Sequence, residues 1–158
     1  MNKTDLLSLI IARLQAELEA IKAAALATHA EATHEENKAE DKYDTRGLEA
    51  SYLAHGQSKA AEEAALGLAQ FQAMTVRDFG PGEPTSLGAL VVLEGGTTNY
   101  YFIGPRAGGT EIEHEGRIVM VITPQSPLGR QLVGKLTGDV LQLDFAGKRS
   151  EFRVTSVG

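Results

Sequence analysis

Residues 1–78 contain no proline, and one apolar seam runs through their first third at alternating spacings of four and three. Leu7, Leu14, Ile21 and Thr28 take one seam position, and Ile11, Leu18 and Ala25 take the other. That spacing keeps one stripe of a helix against a neighbouring helix. A strand buries every second residue, so a sheet cannot satisfy this pattern. The first half is therefore predicted to be helical, with Thr4 or Asp5 as the cap that starts it. A second run passes through Ala50, Leu53, Gln57, Ala60, Ala64, Leu68 and Phe71. Its alanines allow two helices to pack closely.

Between the runs, residues 35–47 are polar and carry no seam. A reversal there makes an antiparallel helical hairpin, a two-armed coiled coil. Each arm of about 35 residues then extends roughly 50 Å at the helical rise. Seam residues shrink from Leu and Ile to Ala and Thr toward the reversal, so the base is expected to be the firmest part. From Glu31 to Glu49 there are seven acids against three bases, which makes the tip acidic.

All five prolines follow Phe79. Gly80-Pro81-Gly82-Glu83-Pro84 reads as a linker, giving a division into 1–78, a linker at 79–85 and a second domain at 86–158. That domain is predicted to hold strands at 89–93, 99–103, 117–123, 140–145 and 150–157, the last two joined through Ala146-Gly147-Lys148. Its one helix signal is Ser126-Pro127-Leu128-Gly129-Arg130-Gln131-Leu132-Val133-Gly134. Ser126 suits the N-cap, Pro127 the first turn and Gly134 the end. The predicted class is α+β.

Composition removes several functions. Without cysteine there is no disulfide framework, thiolate metal site or thiol catalysis. No run approaches the ~20 apolar residues of a membrane span, and the first residues lack the pattern of a signal peptide, so a cytoplasmic location is expected. A net charge of −6 disfavours nonspecific duplex binding and suits a basic partner surface or a metal ion. His29 and His34 are five apart, a poor ligand spacing on a helix.

The stretch from Ser126 through Gly134-Lys135-Leu136-Thr137-Gly138-Asp139, followed by alternating Val140-Leu141-Gln142-Leu143, resembles the C-terminal domain of the GreA/GreB transcription elongation (transcript cleavage) factors. Leu87-Gly88 with the following strand, and Tyr100-Tyr101-Phe102-Ile103-Gly104, resemble its counterparts in the same order. The likeness covers about residues 86–157, and a helical hairpin of the family's kind precedes it.

The resemblance implies an FKBP-like C-terminal domain that docks on bacterial RNA polymerase. Ser126, Pro127, Leu128, Arg130 and Lys135 are the docking residues it points to. It also implies a hairpin that enters the polymerase secondary channel. Asp41 and Asp44 match the family's tip carboxylates, with Asp for Glu at the second. Lys42 and Thr45 stand where the family has Leu and Asn. By this likeness Asp41 and Asp44 assist the polymerase in cleaving a backtracked transcript. They share its active-centre Mg2+, and no cofactor is held stably by the chain itself. Carboxylate and water oxygens are what magnesium prefers, and a second ion activates water.

Glu36 and Glu40 add field or contact. Lys42, Tyr43 and Arg46 either touch RNA or polymerase, or pack and pair within the turn. Asp44 equally suits a helix cap, and Asp41 a turn. The expected function is thus a polymerase accessory factor, not an enzyme, that stimulates transcript cleavage. The alternative is a channel-binding regulator or inhibitor without cleavage, which the bases beside the tip acids favour.

Overall fold

A computed structural model describes residues 1–33, 46–145 and 147–158. The chain is α+β: helices α1 (Lys3–Thr33) and α2 (Arg46–Gln72), then strands β1 (Leu90–Glu94), β2 (Thr98–Ile103), β3 (Glu111–His114) and β4 (Arg117–Ile122), helix α3 (Pro127–Leu132), and strands β5 (Val140–Phe145) and β6 (Lys148–Val157). It forms two compact units, Met1–Ile11 with Gln70–Gly158, and Ala12–Ala69. The units thus divide the chain elsewhere than at the change in composition: the start of α1 and the end of α2 belong with the strands.

In the helical unit, burial follows the seam. Leu14 and Leu18 are buried, and Ile21, Ala25 and Thr28 are half-buried. On α2, Gln57, Ala61 and Ala64 are half-buried and Leu68 is buried. Ala60, expected on the seam, is exposed; its neighbour Ala61 takes the inward position.

The other unit is built on one six-stranded sheet, ordered β3-β4-β2-β1-β6-β5. β2 and β4 run parallel, with Tyr100 opposite Val119 and Ile103 opposite Ile122. The remaining pairs are antiparallel. A parallel pair cannot be joined by a tight turn, so the chain leaves β2, forms β3 beyond the position of β4, and returns through a hairpin. Glu115 and Gly116 make that turn at φ 51° and 71°, the positive values a two-residue hairpin requires.

Alternation gives the sheet two apolar faces. Val91, Leu93, Tyr101, Ile103, Ile122, Leu141, Leu143, Phe152 and Val154 form one core with Phe79 and Leu132. Phe102, Val119 and Val121 face the other way and are fully buried. The Phe71 ring lies against that side: a Cβ on Gly104 would sit 2.6 Å from Phe71 Cζ and 2.9 Å from Val121 Cγ1. Leu6 and Ile10, one helical turn apart, are also fully buried in this unit. They lie beside the seam predicted from spacing, because the first turns of α1 answer to the sheet unit.

The cap of α1 is Asn2, two residues before Thr4 and three before Asp5, the residues expected to cap it. Its Oδ1 accepts from the Thr4 N–H at 2.9 Å and the Asp5 N–H at 3.3 Å. The Asn2 N–H donates to Glu115 Oε1 at 3.1 Å, tying the helix start to the β3–β4 turn. Lys3 is buried, donates to the Arg77 carbonyl and lies 4.9 Å from the centre of the Phe79 ring. Burial holds its ammonium below the usual lysine range.

The Gly-Pro stretch is an ordered turn. Glu83 Oε2 accepts from the Gly80 N–H at 2.6 Å and from Arg77 at 2.8 Å. Those bonds, the Arg77 bond first, hold the Glu83 carboxyl below its ordinary range. Phe79 at one end belongs to the core and Thr85 at the other is buried, so a segment read as a linker is anchored at both ends.

Candidate functional site

The motif around α3 is held from within. Ser126 caps the helix: its Oγ accepts from the Gly129 N–H at 3.0 Å and donates to the Thr123 carbonyl at 2.8 Å. Pro127 follows in the first turn, where a missing N–H costs nothing. Gly129 is required by space, since a Cβ there would lie 1.8 Å from the Thr123 oxygen. Leu132 is fully buried, and Leu128 packs against the same core.

The loop after the helix is stitched as tightly. Gly134, at φ 86°, ends the helix, and its N–H donates to the Thr85 carbonyl at 2.7 Å. The Lys135 carbonyl accepts from both the Thr85 N–H, at 2.8 Å, and its hydroxyl, at 2.7 Å. Asp139 Oδ2 accepts from the Leu136 N–H at 2.9 Å and closes the turn into β5. Gly138 and Asp139 then pair with Val154 through backbone bonds of 2.7 and 2.8 Å.

Among the residues expected to dock a partner, Ser126 and Leu128 turn inward, as cap and as core contact. Pro127 and Arg130 are exposed, and Lys135 is half-buried. Arg130 and Lys135 line one shallow groove together with Val133, Val140 and Arg149. The last three were missed by sequence reasoning. Val140 and Arg149 lie at strand positions facing solvent, and only the sheet brings them beside α3.

The tip residues Glu36, Glu40, Asp41, Lys42, Tyr43 and Asp44 lie outside the described residues. Arg46 opens α2, and its side chain is likewise outside them. Among the described residues, no cluster of His, Cys, Asp and Glu is fit to hold a metal ion, and no helix is long and apolar enough to cross a membrane.

No family model matches the chain. The transcription inhibitor protein Gfh1 of Thermus aquaticus is 33% identical over 123 residues, covering 74% of this chain and 73% of the relative. The chain is a divergent member of the Gre family. A solved structure of the transcription factor Gfh1 is 28% identical, covers 93% of this chain and 92% of that one, and has a TM-score of 0.42. The crystal structure of GreA factor homolog 1 (Gfh1) of Thermus thermophilus is 24% identical, with 94% of each chain covered and a TM-score of 0.39. The assignment rests on the sequence identity, which agrees with the resemblance first carried by residues 126–143. As a Gre-family member the chain is an accessory transcription factor rather than an enzyme.

The family's Ser-Pro and Gly-Asp signatures thus have a local physical basis here. Ser126 and Asp139 each accept from a backbone N–H three residues away, one opening α3 and one opening β5.

Proposed function

We propose that this protein binds RNA polymerase and inhibits transcription, as a Gre-type factor whose C-terminal unit docks on the enzyme. The observation that carries the reading is the 33% identity, over 74% of the chain, to a transcription inhibitor of the same family. The C-terminal unit suits docking because its α3 region is held by backbone-directed bonds from Ser126, Thr85 and Asp139. A surface fixed before contact loses little freedom on binding. Residues 35–47 act by occupying the secondary channel, and Lys42 and Arg46 neutralise part of the acidity of that segment.

Cleavage stimulation is the second reading, favoured by the surviving Asp41-x-x-Asp44 spacing. In it those two carboxylates reach the polymerase Mg2+. One experiment separates the two. A stalled, backtracked elongation complex is supplied with nucleotides at fixed magnesium, with and without the protein. Slower RNA extension without shortening supports inhibition. Shortening that disappears in Asp41→Asn/Asp44→Asn establishes cleavage. No binding to polymerase and no change in either product would overturn both.

A further inference from the structure

Among the described residues β5 is an edge strand, paired with β6 on one side and with no strand on the other. The groove beside α3 crosses that free edge. Its lining includes Val140, Leu141 and Gln142 in succession. Successive strand residues point to opposite faces, so a groove touching three in a row meets the strand along its side, where backbone N–H and C=O groups are unpaired.

The chemistry of the walls is uneven. Arg130 and Lys135 line it from the α3 side and Arg149 from β6. No aspartate or glutamate lines it, although the chain carries a net charge of −6. Some cations elsewhere are ion-paired: Arg13 with Glu17, Lys22 with Glu19, and Arg77 with Glu83. Among the described residues the three groove cations have no ion-pair partner. Val133 and Val140 lie between them at 41% and 39% exposure.

We propose that this groove is a docking site for an extended acidic segment of a partner protein, which adds to the free edge of β5. Backbone bonds to the edge supply affinity, as in other strand additions. Carboxylates on the segment meet Arg130, Lys135 and Arg149, and its apolar side chains cover Val133 and Val140. A nucleic acid fits less well. Three cations are few for a phosphate backbone, no aromatic ring lines the groove for a base to stack on, and the valines and strand edge would go unused. The groove walls are set by the Thr85 and Asp139 bonds, so the site exists before the partner arrives.

The test is an NMR titration of the isotope-labelled full chain with three probes. One is a capped seven-residue peptide alternating Glu and Val, one is its Lys-Val counterpart, and one is an oligouridylate RNA. The acidic peptide is expected to shift the amides of Val140, Leu141 and Gln142 and those of α3, and to slow hydrogen exchange on the outer edge of β5. Added salt should weaken it. Arg130→Gln/Lys135→Gln/Arg149→Gln should weaken it about tenfold, as three exposed ion pairs would, with the rest of the spectrum unchanged. The wild-type probe comparison stands even if the triple variant is unstable. No shift with the acidic peptide, equal shifts with the basic one, or tighter binding of the RNA at these residues would overturn the proposal. Because no polymerase is present, these outcomes are separate from those of the transcription assay.

Discussion

In the sheet unit, Phe71, Phe102, Leu93, Ile103, Leu132 and Val154 lose essentially all of their accessible surface. In the helical unit the best-buried seam residues, Leu14 and Leu18, keep 6% and 5%, and beyond them Ile21, Ala25 and Thr28 are only half-buried. The difference follows from geometry. A sheet with apolar side chains on both faces is packed from two sides, whereas a helix seam is packed from one. The sheet unit is therefore the part that specifies and holds a shape. The helical unit draws its order from propensity and a narrow stripe, which suits a reaching element more than a folding nucleus.

The largest test of that contrast is Phe102→Ala, expected to destabilise the sheet unit by about 3–5 kcal/mol, the range for removing a buried aromatic ring. Urea unfolding of the full chain followed by tyrosine fluorescence would read it. Leu18→Ala in the helical unit should cost about 2–3 kcal/mol, toward the low end for a buried leucine, because a one-sided seam collapses more easily. Equal losses for the two variants would break the comparison. Ser126→Ala should cost ~1 kcal/mol by removing the cap of α3, visible as faster amide exchange at Gly129 with the sheet intact.

Gln57→Leu should act in the opposite direction. Gln57 Oε1 is shielded from water and has no hydrogen-bond partner among the described residues. Replacing the amide with an apolar side chain of similar size should stabilise the helical unit by ~1 kcal/mol, measured as a higher melting temperature by far-UV circular dichroism. The smallest effect concerns acid. Glu115 accepts from the Asn2 N–H first, and His114 and Arg117 add to the field, so its carboxyl is held below 4.5. The folded state therefore gains from the ionised group above 4.5 and loses that gain as pH falls through the lowered value. Thermal melts across that acid range should show a steeper loss for wild type than for Glu115→Gln.

Most elements were legible because each carries its own period or punctuation. β5 spans the six residues that alternation marked, 140–145. Ser126, Pro127 and Gly134 fall at the cap, first turn and end of α3 as their side chains dictate. β3 was not legible. Its four residues, Glu-Ile-Glu-His, form a strand only because β4 offers them an edge, with Ile112 opposite Val119. Asn2 was overlooked as a cap because the apolar pattern starts later. Leu6 and Ile10 were left off the seam because heptad spacing sees only the partner helix and not the sheet unit. Of the residues the resemblance points to for docking, Ser126 and Leu128 are occupied within their own unit, while Arg130 and Lys135 share a groove with Val133, Val140 and Arg149.

The sequence by itself determined the division into a helical and a sheet-forming half, the kind of most elements, and the family, because periodicity, caps and motif order are local properties. Tertiary structure alone decided that the first eleven residues belong with the sheet, that β2 and β4 run parallel, and that cations from α3, the loop after it and β6 line one groove. Those facts depend on which faces meet, and burial is a property of neighbours that no single stretch of sequence contains.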